Sequence, residues 1–184
     1  MRVKIILCLI AAGYVFKKSN DAQMAIYAFI AALVLCFLLP PVMKLFWKRM
    51  RKKRYLRSPI SKIDSMEGHE FEEYLQALYE KNGYKCKIVG EKGHDYGVDL
   101  IIKKNGVKTA VQAKRYQNIV GIKAVQEVAS GKSYYDCDDA IVVTNSHFSK
   151  AAKELAEKCG VGLIDREYLK KLYEYCLLYT SPSP

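Results

Sequence analysis

The dipeptide Asn105-Gly106 constrains this chain more than any other feature. Set between alternating segments, it predicts a two-residue type I′ hairpin turn, because both residues reach positive φ at low cost. With Lys104 facing Val107, every cross-strand pair sums to 211, so Asp99 lies directly opposite Gln112. Their Cβ atoms are then about 5 Å apart, and Lys114 follows two residues along on the same face. The other face carries Val98, Leu100, Ile102, Val107, Val111 and Ala113 and is expected to meet the core. A slip of one residue would expose that apolar set, so the register is well specified.

Asp99, Gln112 and Lys114 therefore form a polar cluster at one end of the hairpin. A carboxylate beside an amide or backbone oxygen suits Mg²⁺, a hard ion that keeps several waters. Such an ion acidifies water and offsets charge on a phosphoryl oxygen. A neighbouring lysine can orient or deprotonate the water, or stabilise the charged transition state. These parts describe metal-assisted phosphodiester hydrolysis. Spacing alone leaves open a surface trio joined by cross-strand hydrogen bonds.

Around the hairpin the pattern alternates between strand and helix. Asp64 with Glu67 fits a capping box, and Phe71, Leu75, Leu78 and Tyr79 repeat at helical spacing until Asn82-Gly83. YKCKIV reads as a strand. Ile122–Tyr134 reads as a helix burying Ile122, Val125, Val128 and Ala129, and AIVVT (140–144) as a short buried strand. Ser149–Lys158 is expected to be a helix closed by Gly160, VGLID a strand, and a last helix is expected from about Glu167. The order α-β-β-β-α-β-α-β-α implies a mixed sheet with helices on its faces.

The first third differs in kind. Residues 1–63 hold 13 Lys/Arg against Asp21 alone, whereas residues 64–184 hold 17 Lys/Arg against 18 Asp/Glu. The basic character thus belongs to the N-terminal part, and the rest is nearly neutral. Two apolar runs, 3–16 and 24–43, are joined by a short polar link and predict a transmembrane helical hairpin, of which the second run alone approaches the length of a full span. A signal-peptide reading of the first run lacks a small-residue cleavage site. Eight of the fourteen residues from Lys44 to Arg57 are Lys or Arg. That cluster reads as a positive-inside anchor, with a grip on anionic lipid or DNA backbone as the other use. Residues 1–43 are thus expected to anchor the chain, 44–63 to form a basic stem and linker, and 64–175 to form a cytoplasmic domain beneath a bacterial-type cell membrane. The last nine residues, CLLYTSPSP, match the translation of a transposase adapter end used in sequencing libraries. We read 176–184 as an assembly artefact, with the natural C-terminus absent.

GHEFEEYLQALYEKNGYK, GHDYGVDLII, VQAKRY, AIVVTNSHFSKAAKELAEKCGVGLID and the leucine-bearing last helix together resemble the Mrr-type restriction endonuclease domain, a branch of the PD-(D/E)xK nuclease superfamily. The resemblance covers roughly Glu67–Tyr173, with the motifs in order. It implies a restriction-endonuclease-like αβββαβ core that cleaves DNA with Mg²⁺ or Mn²⁺. By this resemblance Asp99 is the metal-binding acid, Gln112 replaces the usual acid of the ExK half-motif and also faces the metal, and Lys114 is the catalytic lysine. Glu72 matches a further acid that supports metal binding, and Asp95 an acid in the loop before the Asp99 strand. Ala113 stands where the family often has cysteine, a position facing the core, so no catalytic group is lost.

The expected function is a membrane-anchored DNA endonuclease that restricts foreign or modified DNA. Two other readings stay open: a non-catalytic DNA-binding or membrane scaffold module, and a structure-selective nuclease of repair or recombination. Arg115, Lys123 and Lys132 are candidate phosphate contacts, membrane lipid is the expected partner of residues 1–57, and two active sites for double-strand cleavage would imply a homodimer. His69, His94 and His147 are too scattered for a zinc or HNH arrangement, and the six cysteines lack a C-x-x-C pair. No Walker A or GxGxxG pattern occurs, so a nucleotide cofactor is not expected.

Overall fold

The structure, a computed structural model, describes residues 2–19, 22–58, 60–89 and 96–178. Asp95 and His94 lie outside the described residues, as does 179–184 of the adapter-like tail. The chain divides into two compact units, Met1–Arg51 and Lys52–Pro184, a division that falls within the basic stretch 44–63.

In the first unit, α1 (Arg2–Ser19) packs on α2 (Ala22–Leu33). A π-helical turn, Val34–Leu38, then leads into α3 (Leu39–Arg57), which makes 22–57 one helical run. The π turn has a local cause. Pro40 and Pro41 cannot donate backbone N–H groups, and the Leu39 N–H reaches back five residues to the Val34 carbonyl. Both prolines then occupy the first turn of α3, where a missing N–H is tolerated. They therefore do not end the helix, and much of the basic stem is helical. Along this unit Ile10, Ile26, Ile30, Leu35 and Leu38 are all exposed.

The second unit is built on a five-stranded sheet ordered β1-β2-β3-β4-β5: β1 (Lys85–Ile88), β2 (Leu100–Lys104), β3 (Val107–Lys114), β4 (Asp139–Thr144) and β5 (Val161–Ile164). The first three strands are antiparallel and the last three parallel, as the element order predicts. Asn105 and Gly106 take φ of 52° and 89°, and Lys104 pairs with Val107 through to Leu100 with Val111. The register is the one the Asn-Gly turn dictates.

Helices α4 (Gly68–Lys81) and α7 (Arg166–Leu178) cover one face of the sheet. Phe71, Tyr74, Leu75 and Leu78 pack there on Leu100, Ile102 and Val111. Helices α5 (Ile122–Tyr134) and α6 (Lys150–Cys159) cover the other face, where Val125, Val128 and Ala152 meet Val98, Ala110 and Val142. This two-sided burial corrects the one-sided hairpin expected from the sequence. Val98 belongs to the α5 side, Val107 is exposed, and so is Ile122. The buried stripe of α5 is Ala124, Val125, Val128 and Gly131 instead.

Two helix starts show how local chemistry sets the boundaries. Ser149 caps α6 by accepting the Ala152 N–H, and Gly160 ends it at φ 62°. The capping box of α4 uses Glu67 and Glu70, not Asp64. Asp64 falls in a preceding 3₁₀ segment, Ile60–Ser65, and its carboxylate is taken by Arg166 and Asn145.

Candidate active site

The strand register delivers Asp99 to Gln112. Asp99 ends the loop into β2; its own N–H donates to the Val111 carbonyl at 2.9 Å, and its carbonyl accepts the Val89 N–H at 2.9 Å. Its carboxylate is therefore held against β3. The Gln112 amide and the Ala113 N–H each donate to Asp99 Oδ2 at 2.6 Å. The two side chains are only 7 % and 4 % exposed. What the sequence left open as a surface trio is a buried pair with a lysine at its edge.

Gln112 carries the clearest chemical signal. With its Nε2 committed to Asp99, its Oε1 is buried with no hydrogen-bond partner among the described residues. An orphaned carbonyl oxygen normally costs about 1–3 kcal/mol, and here it stands beside a carboxylate. Two hard oxygen donors of this kind suit Mg²⁺ or Mn²⁺, which take one or two carboxylates and complete the shell with water. No group of three His, Cys, Asp or Glu converges among the described residues, so such an ion would depend on the amide oxygen and on water. The donor set present fits the ion.

Lys114 lies two residues beyond Gln112 on β3, half-buried, with its ammonium 2.9 Å from Glu127 Oε2. Glu127 is a partner of the candidate site that sequence reasoning missed. It projects from α5 on the same stripe as Ala124, Val128 and Gly131, and an acid on an apolar stripe was the available signal. Lys123 approaches the other Glu127 oxygen at 3.8 Å from one turn earlier. Lys114, Tyr116, Lys123 and Glu127 border an open pocket of about 150 Å³.

Two glycines bring the Asp99 loop onto α5. A Cβ on Gly97 (φ 77°) would fall 2.5 Å from the Glu127 carbonyl oxygen, and one on Gly131 the same distance from the Tyr96 carbonyl oxygen. The backbones touch where no side chain fits, and Tyr96 stacks on Tyr134 with ring centroids 3.8 Å apart.

The end of β3 is fixed from the other side. Thr144 Oγ1 donates to the Lys114 carbonyl at 2.7 Å, and the buried Asn145 accepts the Tyr116 N–H at 2.7 Å. Asn145 also donates to Asp64 at 3.0 Å, and Arg166 grips both Asp64 oxygens at 2.6 and 2.7 Å. The Arg166 guanidinium holds the Asp64 carboxyl below the usual range, helped by the Asn145 hydrogen bond and by the charges of Arg166 and Arg115.

The remaining sequence candidates sit on α4, on α5 and just after β3. Glu72 is half-buried near the N-terminal end of α4, the end that Asp64 and Asn145 tie to the exit of β3. Arg115 follows Lys114, half-buried, and its Nε lacks a hydrogen-bond partner among the described residues. Lys123 borders the pocket, whereas Lys132 sits in the last turn of α5, away from it.

A family model named Mrr_cat and described as "Restriction endonuclease" matches residues 63–173. No curated protein matches the chain. Among solved structures, it is similar to the protein of unknown function AF1548 at 20% identity and TM-score 0.46, over 58% of this chain and 62% of that one. It is also similar to the DNA modification-dependent restriction endonuclease AspBHI at 18% identity and TM-score 0.44, over 72% of this chain and 35% of the other. The MspJI restriction endonuclease, solved in complex with a 27-mer oligonucleotide, aligns at 18% identity and TM-score 0.39, over 76% and 31%. The chain spans less than two thirds of the length of each.

Proposed function

The chain belongs to the Mrr-type restriction endonuclease family, and from that premise we propose that it is a membrane-anchored, Mg²⁺-dependent deoxyribonuclease that restricts foreign or modified DNA. The observation that carries the reading is the buried Asp99–Gln112 pair with its orphaned amide oxygen, next to Lys114. When bound there, the divalent ion would polarise the scissile phosphate and acidify the attacking water. Asp99 and Gln112 Oε1 would hold it, and the Ala113 N–H fixes the Asp99 carboxylate against rotation. Lys114 lines the pocket, where its ammonium would offset charge on the pentacovalent phosphorus or orient the water. Glu127 limits the positions that ammonium can take.

Anchoring is supported by the first unit. Its long helical run exposes contiguous apolar side chains that water would not favour and a bilayer would. The basic stretch that follows would keep the nuclease on the cytoplasmic side.

The test uses the full chain in detergent micelles with plasmid DNA of varied methylation and Mg²⁺ or Mn²⁺, beside Asp99→Ala and Lys114→Ala. We expect cleavage by the wild type and a loss of at least about a hundredfold in both variants. No cleavage under any condition would remove the enzymatic reading. Equal cleavage by all three proteins would move the site elsewhere.

A further inference from the structure

The sheet carries a second unusual feature on the same face as the candidate site, at the other end of β3. Lys85 on β1 lies directly opposite Lys103 on β2, and Lys103 directly opposite Lys108 on β3, so three amines line up across three strands. Lys87 stands two residues along from Lys85 on the same face. Like charges placed directly opposite one another cost a sheet stability. Lys108 is engaged, since its ammonium donates to the Tyr135 carbonyl. Lys85, Lys87 and Lys103 are exposed and form no ion pair among the described residues.

With Ile101 and Lys108 these lysines border a hollow of about 360 Å³. Helices α5 and α6 lie over β3, β4 and β5, which leaves this side of β1 and β2 without a helix among the described residues. The acids at this end, Asp136, Asp138 and Asp139, belong to the start of β4 and the turn before it. β4 is two strands from β2, or about 10 Å, and Asp138 is occupied by the Lys108 N–H.

The position of this patch decides what it meets. Lys52, the first residue of the second unit, ion-pairs Glu80 near the end of α4, and Tyr55 hydrogen-bonds Glu73 at 3.3 Å, two turns earlier on that helix. The Asn82 carbonyl, just past α4, accepts the Lys104 ammonium at the hairpin turn. The chain therefore enters the second unit at the hairpin end of the sheet. The apolar run ends at Met43, so the residues from there to Lys52 reach at most about 30 Å however they are disposed. Along the strands Asp99 lies four residues beyond Lys103, about 13 Å, and two residues beyond the level of Lys87, about 7 Å, so the patch begins at the hairpin end and runs toward the candidate site on the same face.

We propose that Lys85, Lys87 and Lys103 form a docking surface for anionic lipid headgroups, which seats the nuclease unit on its own membrane. The proposal rests on the anchoring reading above. Three basic residues near an anionic surface strengthen adsorption on the order of a hundredfold at low salt.

The full chain is reconstituted in vesicles of phosphatidylcholine alone and in vesicles in which a third of the lipid is phosphatidylglycerol. Acetylation of single lysines by a water-soluble reagent is then followed by peptide mass. We expect Lys85, Lys87 and Lys103 to react at least several-fold more slowly in the anionic vesicles. Lys150 and Lys153 on α6 should be unaffected, and roughly 1 M salt should remove the difference. Equal reactivity in the two lipids overturns the proposal. So does protection that appears only when duplex DNA is added, which would make the patch a contact for DNA backbone. Alkaline carbonate extraction tests the anchor separately. A chain released by carbonate refutes spanning, yet salt-sensitive protection of Lys85, Lys87 and Lys103 when that chain returns to anionic vesicles would still support the lysine surface.

Discussion

Gln112 is the residue on which the candidate site turns. Its amide donates to Asp99 at 2.6 Å, where a glutamate would place a second carboxylate against the first. Two buried like charges at that range cannot both ionise without help. Gln112→Glu should therefore lose about 2 kcal/mol of stability at neutral pH without metal, from the lost hydrogen bond and the repulsion. Lowering the pH protonates one of the pair, and Mg²⁺ should raise the melting temperature of the variant more than that of the wild type. Thermal melts with and without Mg²⁺ read this directly, and an unchanged metal-free melting temperature would refute the geometry. Glu127 acts one step further out, through Lys114. Glu127→Ala should lower kcat about tenfold or more with little change in KM, because the lysine loses its fixed position. A change in KM alone, in steady-state cleavage kinetics, would show that Glu127 serves substrate binding instead.

At the scale of elements, the contact between α5 and the Asp99 loop sets the site, and Gly131 shows which force prevails there. Alanine inside a helix is favoured over glycine by about 1 kcal/mol, so propensity alone predicts that Gly131→Ala stabilises the protein. The new Cβ would fall 2.5 Å from the Tyr96 carbonyl oxygen and closer still to Val98, so the loop must retreat. Overpacking of this kind costs about 1–3 kcal/mol and outweighs propensity. We expect urea denaturation to show a net loss and cleavage to fall, since Asp99 follows Gly97 by two residues. A stabilised, fully active variant would mean that this contact is not tight. The same contact explains what the sequence could and could not disclose. The Asn-Gly turn made the hairpin register legible, and the α5 limits followed from its apolar spacing. The second buried face was harder to read. Its marker is the adjacent pair Ile101-Ile102, which sends apolar side chains to both sides of β2, and the hairpin's alternation hides it. Glu127 escaped notice because its partner Lys114 comes from a different element, and only tertiary packing brings them together.

At the scale of the folded unit, one cluster joins its beginning to its end. Asp64 lies before α4 and Arg166 opens α7, and their two-pronged ion pair meets Asn145, which in turn holds the Tyr116 backbone beside the pocket. Asp64 looked like a helix cap in the sequence because its partner lies 102 residues away. The folded carboxyl is depressed below the ordinary Asp value, chiefly by the Arg166 hydrogen bond. A depressed folded value means that the unfolded chain takes up the proton first as the pH falls. The pair's contribution is thus fully present above about pH 4, the ordinary Asp range, and is lost as the pH drops through the lower folded value. Both side chains are partly exposed, at 33 % and 44 %, so screening holds the contribution to about 1 kcal/mol. Asp64→Asn should therefore sit about 1 kcal/mol below the wild type in urea denaturation at pH 7. The gap should persist down to about pH 5, shrink steadily below pH 4, and narrow in high salt at pH 7. A gap that stays constant from pH 7 to pH 3 would mean that the hydrogen bonds hold this closure, with no part for the charge of Asp64.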